Sequence, residues 1–287
     1  MKKHFENKTF RLLALDLDGT VLTNDKRITK PVRDALEKAA SMGIIVLPAS
    51  GRPFSSLPDE LFTLTGLNYV ITSNGAAVYH LGRREKCYER CLQRETIDQI
   101  LSFFPDYAGI EASMDDITYI DRSVLEMPEH FHLSERTASY LRATRTGVDD
   151  IRTFLQKRCA FDCIDIIYPS GNEEAELMQK LTRTIPGIYV TSSVPGLLEI
   201  SRARGGKCEG LMWAQEQFSI LPEEMISFGD GFNDLEMIRH AGLGVAMENG
   251  HPLLKEAADL IAPSNEEDGV AVVLEELFRN AAPADNP

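Results

Sequence analysis

The chain has 287 residues, enough to bury a sizeable core and to form two domains. It is 43% hydrophobic and 26% charged, the balance of an ordinary globular protein. A formal net charge of -14 gains little from nucleic-acid phosphates, which argues against a general nucleic-acid binder. The five cysteines, Cys87, Cys91, Cys159, Cys163 and Cys208, are odd in number and sparse, which argues against a disulfide framework. Cys87/Cys91 and Cys159/Cys163 lack the CxxC spacing of a zinc site and read as reduced structural thiols. Met1 to His4 resembles the basic start of a signal peptide, but the apolar run that follows carries Asp16 and Asp18 and leads to no small-residue cleavage site. No uninterrupted stretch approaches the ~20 apolar residues of a membrane span. The expectation is a cytoplasmic protein without a membrane partner.

After a polar lead-in over residues 1–9, Leu12 to Leu15 do not alternate with polar residues and predict a strand buried on both faces. It ends in Asp16, Asp18, Gly19 and Thr20. Thr29 is placed to cap a helix with Pro31 in its first turn, Val32, Leu36 and Ala39 on one face, and Gly43 closing it. Ile44 to Leu47 predicts a second strand, followed by Ala49-Ser50-Gly51-Arg52. A helix is expected over Phe54 to Leu64, and Tyr69 to Thr72 predicts a third strand, ending in Ser73-Asn74-Gly75-Ala76. Strands alternating with helices imply a right-handed parallel sheet.

The rhythm changes from about residue 84. Asp115-Asp116 suits a two-residue hairpin turn between Glu111–Met114 and Ile117–Ile120. Helices are expected over 149–158 and 173–184, and strands over 163–168, 189–192 and 197–201. The first rhythm returns near Lys207, which opens a helix through Phe218. Met225 to Phe228 then delivers Gly229-Asp230-Gly231-Phe232-Asn233-Asp234. Further strands are expected over 243–247 and 260–261. Ser264 and Glu267 form a capping box before a last helix through Leu277, and the final seven residues form a disordered tail. The expected architecture is α/β: a Rossmann-like parallel-sheet core over 1–84 and 192–287, interrupted by an α/β insertion over 85–191.

Ligand sites in open α/β sheets lie at the carboxyl ends of the strands. Four strand ends offer Asp16/Asp18, Ser50-Gly51, Asn74-Gly75 and Asp230/Asn233/Asp234, with Lys207 at a helix start. Carboxylates suit a hard cation such as magnesium. A lysine, a hydroxyl and loop amides suit a phosphate, and an aspartate among them is able to attack phosphorus.

DLDGT, ASGR, Lys207 and GDGFND together resemble, in order, the four motifs of haloacid dehalogenase superfamily phosphatases. The long insertion and the SNGA, AMENG and EDGV stretches resemble the Cof-like branch, whose insertion is a large α/β cap. The resemblance covers nearly the whole chain. It implies that Asp16 is the nucleophile and a Mg²⁺ ligand. Asp18 is implied as the acid and base, binding Mg²⁺ through its carbonyl. Leu17, Ser50, Gly51, Lys207 and Asn233 are implied to hold phosphate, while Asp230 and Asp234 complete the metal site. Two residues depart from the branch: Ser50 stands where threonine is frequent, and Cys208 where glycine is frequent.

The expected activity is magnesium-dependent hydrolysis of small phosphorylated metabolites, with sugar phosphates the leading class. The expected state is a monomer or homodimer that binds no nucleic acid. A sugar phosphotransferase is the nearest alternative, separated by whether phosphate appears without an acceptor. A non-catalytic metabolite-binding regulator is the alternative of another class, and binding alone does not require Asp18. Taken singly, several features are bland. Asn74-Gly75 is a turn signal serving structure or a cap hinge, Asp268-Gly269 suits a helix start, Trp213 reads as core, and His130 and His132 lack a third metal ligand.

Overall fold

The computed structural model describes residues 9–105, 108–158, 160–167, 174–192, 196–202 and 206–281. The expected tail lies outside these apart from its first residue, as do Cys159, Tyr168, Glu173 and Pro195. In chain order the strands of the first sheet are β1 (Leu12–Asp16), β2 (Ile45–Ala49), β3 (Tyr69–Thr72), β4 (Ala77–His80) and β5 (Glu85–Glu89). The second sheet follows with β6 (Gly109–Met114), β7 (Ile117–Asp121), β8 (Thr146–Val148), β9 (Cys163–Ile167), β10 (Tyr189–Thr191) and β11 (Leu197–Ser201). The chain then returns to the first sheet with β12 (Met225–Gly229), β13 (Leu243–Met247) and β14 (Leu260–Ala262).

The first sheet runs in the order β14-β13-β12-β1-β2-β3-β4-β5. It is parallel from β14 through β3, and the β4–β5 hairpin extends it antiparallel. The unalternating LLAL run is explained by two cores. Leu13 and Leu15 pack in one layer with Val32, Leu36, Val270 and Leu274. Leu12 and Ala14 pack in the other with Leu211, Ala214 and Met237. Leu12, Leu13, Ala14 and Leu15 are all fully buried, and each leucine contributes roughly 1.5–3 kcal/mol. The helix Lys30–Ser41 forms as its caps predict: Thr29 accepts from the Val32 N–H, and Gly43 lies at φ 83° just past the end.

Two expectations change. Phe54 to Leu64 is not one helix but two 3₁₀ turns, Phe54–Ser56 and Asp59–Thr63. Pro58 removes a backbone donor and drives Leu57 to an extended ψ of 144°, so a helix cannot pass through. The strands also depart from the expected division at both ends of the insertion. Glu85–Glu89 pairs with β4 in the first sheet, its alternating exposure being that of an edge strand. Leu197–Ser201 lies between β10 and β9 in the second sheet, where Leu198 and Ile200 enter that sheet's own core.

The second sheet is mixed, in the order β10-β11-β9-β6-β7-β8. Asp115 and Asp116 both have positive φ and close the β6–β7 hairpin as expected. One face carries Ile110, Ala112, Ile164, Ile166, Leu198 and Ile200 against the helices Arg94–Phe103, Ile151–Gln156 and Glu174–Thr184. The alternate residues, Glu111, Ser113, Cys163, Asp165, Glu199 and Ser201, are also buried, on the opposite face. Both crossings between the sheets touch the Ser73–Ala76 turn. The Arg90 N–H donates to the Ala76 carbonyl at 2.7 Å on the way in. On the way back, Gly206 passes so close to Gly75 that a Cβ on Gly75 would collide with the Gly206 carbonyl. Among the described residues no helix is long and apolar enough to cross a membrane.

Candidate active site

Strand register assembles the site. Asp16 ends β1 beside Ala49 of β2, and Leu15 lies beside Phe228 of β12. The next residues on the flanking strands therefore bring Ser50 to one side of Asp16 and Asp230 to the other. Gly19, at φ 90°, lets the loop after β1 close on β12, since a Cβ there would overlap the Asp230 carboxylate. Thr20 Oγ1 donates to Asp230 Oδ1 at 3.1 Å.

Lys207 opens the helix Lys207–Phe218 after Gly206, whose φ of 55° suits glycine. Its ammonium is 1% exposed and donates to Asp16 Oδ1 and, at 2.7 Å, to Asp234 Oδ1. Cys208 is accommodated as a buried residue of that first turn without diverting Lys207. The other oxygen of Asp234 accepts the N–H groups of Asp230 (3.0 Å) and Gly231 (2.9 Å). Asp234 thus holds both the lysine and the loop.

Asp16, Asp230 and Asp234 each place a carboxylate oxygen within 4.8 Å of the others. Burial, then the neighbouring Asp234, pushes Asp230 up to about 6. Burial also raises Asp16 well above the usual carboxylate range; Lys207 opposes this, while Asp234 and Asp230 add to it. Burial disfavours the Lys207 charge, but Asp16 and Asp234 outweigh it and hold the lysine cationic. One ammonium cannot neutralise three buried carboxylates. Asp16 Oδ2 is buried without a hydrogen-bond partner. An all-oxygen set with surplus negative charge and an unpartnered carboxylate oxygen fits a hard divalent cation.

Asp18 points elsewhere. Arg52 grips it with Nε to Oδ2 and Nη2 to Oδ1, both at 2.7 Å, and Lys26 Nζ meets Oδ1 at 2.7 Å. Burial alone would raise Asp18, but Arg52 and then Lys26 hold it at about 2. The pair adds stability above the ordinary carboxylate value, near 3.8, and loses it as pH falls through about 2. Arg52→Gln is therefore expected to lower stability at pH 6, with the deficit shrinking as pH falls from about 4 towards 2. Urea melts of both proteins across that range check it, and a deficit independent of pH would refute the pairing.

A third group surrounds Asn74, which adopts φ 49°. Its N–H donates to the Ser50 carbonyl at 3.1 Å. Asn74 Oδ1 accepts Asn233 Nδ2 at 3.0 Å, and Asn74 Nδ2 donates to Glu199 Oε1 at 2.9 Å. Ser50 Oγ accepts the Arg52 N–H at 3.1 Å. A Cβ on Gly51 would lie 3.1 Å from the Glu199 carboxylate, so a residue of the second sheet roofs the Ser50-Gly51 loop. Leu17 is fully buried, and its carbonyl accepts the N–H groups of Thr20 (3.4 Å) and Leu22 (2.8 Å).

Of the residues singled out in the sequence, Asp16, Asp230, Asp234 and Lys207 converge directly. Ser50, Gly51 and Asn233 join them through Asn74, while the Asp18 carboxylate faces Arg52 and Lys26. Sequence reasoning missed Lys26, Arg52, Asn74 as a hub, Glu199, and Asn249, whose Nδ2 donates to the Gly19 carbonyl at 2.8 Å. Arg52 and Asn249 lay inside motifs already marked, and Glu199 was signalled by an acid alternating with Leu198 and Ile200. His130 lies in the 3₁₀ turn Pro128–Phe131 and His132 just past it in left-handed backbone, not in a strand. They belong to no metal-holding group among the described residues.

A parallel sheet with an inserted mixed-sheet cap, carrying an acidic cluster and a buried lysine at its strand ends, defines a hydrolase acting on phosphorylated compounds. The chain belongs to the haloacid dehalogenase-like hydrolases, whose family profile matches residues 13–274. It is a phosphatase of the Cof-like branch with an α/β cap, acting on small phosphorylated metabolites. It is 28% identical over 281 residues to a 5-amino-6-(5-phospho-D-ribitylamino)uracil phosphatase, YitU, of Bacillus subtilis, covering 93% of this chain and 97% of that one. It is 29% identical over 283 residues to a putative phosphatase, YxeH, of the same organism, covering 93% and 98%. Among solved structures it is similar to a haloacid dehalogenase-like hydrolase from Bacteroides thetaiotaomicron, with a TM-score of 0.75, 28% identity, and 94% of this chain and 100% of that one covered.

Proposed function

We propose that the protein hydrolyses sugar phosphates and related phosphate monoesters through an aspartyl-phosphate, with Mg²⁺ as the metal. The observation that carries this reading is Asp16 Oδ2, a buried oxygen without a partner on the same carboxylate whose Oδ1 is bound by Lys207. Asp16, Asp230 and Asp234 would hold the metal, together with the Asp18 carbonyl. When bound, the metal neutralises phosphate charge and lowers the repulsion between two anions.

The chain's residues then have distinct tasks. An Asp16 oxygen forms the bond to phosphorus while the ester P–O bond breaks. Asp18 gives its proton to the departing alkoxide. The Asp18 carboxylate next takes a proton from water, whose oxygen attacks the acyl phosphate and releases Asp16 and inorganic phosphate. Before that first proton transfer Asp18 must leave Arg52 and Lys26, which favour its ionised form. Lys207 and the Ser50-Gly51 loop hold phosphate oxygens, with the Leu17 amide, and Asn233 orients the loop through Asn74. The cap sheet roofs the loop and excludes water on closure.

Two relatives are phosphatases of 5-amino-6-(5-phospho-D-ribitylamino)uracil, a phosphorylated polyol chain, which supports a sugar-like leaving group here. The test is phosphate release across a metabolite panel with Mg²⁺ or with chelator. Release from sugar phosphates, in Mg²⁺ only and without an acceptor sugar, is expected. Release only with an acceptor would make the protein a phosphotransferase, and no turnover across the panel would leave a binding protein.

A further inference from the structure

The cap and the core also meet around a cavity of about 630 Å³, within the size range of small-molecule sites. The cap side comes from the end of the helix Glu174–Thr184, from β10 and from Arg202 just past β11. The core side comes from Phe232, Leu235 and Glu236. Among the described lining residues are none of Asp16, Asp18, Ser50, Lys207 and Asp230, so this cavity is separate from the reaction centre. Much of its surface is apolar, with Ile188 and Val190 on one side and the Phe232 ring on the other. Three arginines, Arg90, Arg183 and Arg202, supply positive charge. Arg90 is already paired with Glu209 at 3.0 Å, and the acid of the cavity, Glu236, meets Arg239 at 3.4 Å. Arg183 and Arg202 are exposed and have no acidic partner among the described residues. Acids outnumber bases 44 to 30 in this chain, so two arginines left unpaired at one cavity are available to a ligand's charge.

A guanidinium presents a planar fork that matches phosphate oxygens, and an aromatic face beside it suits a flat ring. We infer that this cavity is an effector site for a phosphorylated compound carrying an apolar ring, the chemistry of a nucleotide. Both walls lead to the reaction centre. Phe232 and Leu235 flank Asn233 and Asp234, and Asp234 holds Lys207 at 2.7 Å. Tyr189 rests its ring on Gly206, where an added Cβ would lie 2.6 Å from it, and Gly206 immediately precedes Lys207. An occupant gripped by Arg183 and Arg202 on the cap and packed on Phe232 of the core fixes the cap over the site. Holding it there slows product release. The site goes beyond the phosphatase reading, because binding is measured without turnover.

The probe is α,β-methylene-ADP, which has no P–O–P bond to hydrolyse. Calorimetry compares its binding to Mg²⁺-loaded wild type and to the double variant Arg183→Gln/Arg202→Gln. Binding to wild type is expected, at least ~10-fold weaker in the variant and at least ~10-fold weaker for adenosine, which lacks the phosphates. Saturating probe should lower kcat for p-nitrophenyl phosphate by at least ~5-fold in wild type and leave the variant unaffected. Without probe the two proteins should turn over at the same rate, which shows that the variant is folded. Equal affinity for wild type and variant overturns the inference, as does no binding to wild type, or adenosine binding as tightly as the probe. A probe that only raises KM, equally in both proteins, occupies the reaction centre and overturns it too. Binding that leaves kcat unchanged overturns the effector role. Absence of p-nitrophenyl phosphate turnover by wild type would instead defeat the phosphatase reading, while calorimetry still decides the site.

Discussion

Asp16→Asn is expected to lower phosphate release by about 10⁴-fold or more, because the reaction loses the atom that bonds to phosphorus. The amide is isosteric, so the strand end should keep its shape. Lys207 retains its bond to Asp234, so the buried ammonium stays paired. Removing one of three crowded carboxylates also removes the Asp16 charge that burial, Asp234 and Asp230 disfavour. The metal-free variant should therefore melt no lower than the metal-free wild type. Phosphate release measured beside circular dichroism melts in chelator checks both parts. Turnover above about 1% of wild type in the folded variant would remove Asp16 from the role of nucleophile.

Lys207→Met should produce the opposite signature, with activity and stability lost together. The methionine fills much of the same volume but leaves Asp16, Asp230 and Asp234 without a buried cation. Removing one partner of a buried ion pair costs about 3–5 kcal/mol. That loss should appear in urea melts with chelator. Mg²⁺ should recover part of it, because a ligand bound only by the folded state stabilises by mass action. A variant as stable as wild type in chelator would show that the lysine is not neutralising the cluster.

The reactive edge was legible in the sequence because each piece sits at the end of a strongly patterned element. The LLAL run marks a strand with two buried faces, so the acids after it had to emerge at its end. Met225 to Phe228 does the same for Asp230. The last helix, Gly269–Ala281, forms where expected, but the Ser264–Glu267 capping box, with Ser264 Oγ donating to Glu267 at 2.7 Å, closes the 3₁₀ turn Asn265–Glu267 that precedes it. The Phe54–Leu64 segment misled because its apolar spacing resembles a helix, while the effect of Pro58 on Leu57 decides the backbone. The β4–β5 hairpin was overlooked because His80 and Glu85 flank a turn without the Asn-Gly pattern that marks a tight hairpin. Asn74 as a hub depends on three partners separated from it by 24, 125 and 159 residues in the chain (Ser50, Glu199 and Asn233), and local pattern does not encode such meetings. Glu111, Asp165 and Glu199 need the register of three strands before they become neighbours.

The two crossings at the Ser73–Ala76 turn bear on how such a protein diversifies. Arg90 docks on Ala76 as the chain leaves the first sheet, and Gly206 docks on Gly75 as it comes back. Both joints of the segment between them lie at one short turn, and the return joint lies next to Lys207. The cap is thereby a cassette with both seams at one place. A different cassette closes on the same reaction centre when its seams keep the bare backbone of Gly75 and Gly206, so substrate choice is free to drift while the phosphate chemistry stays fixed.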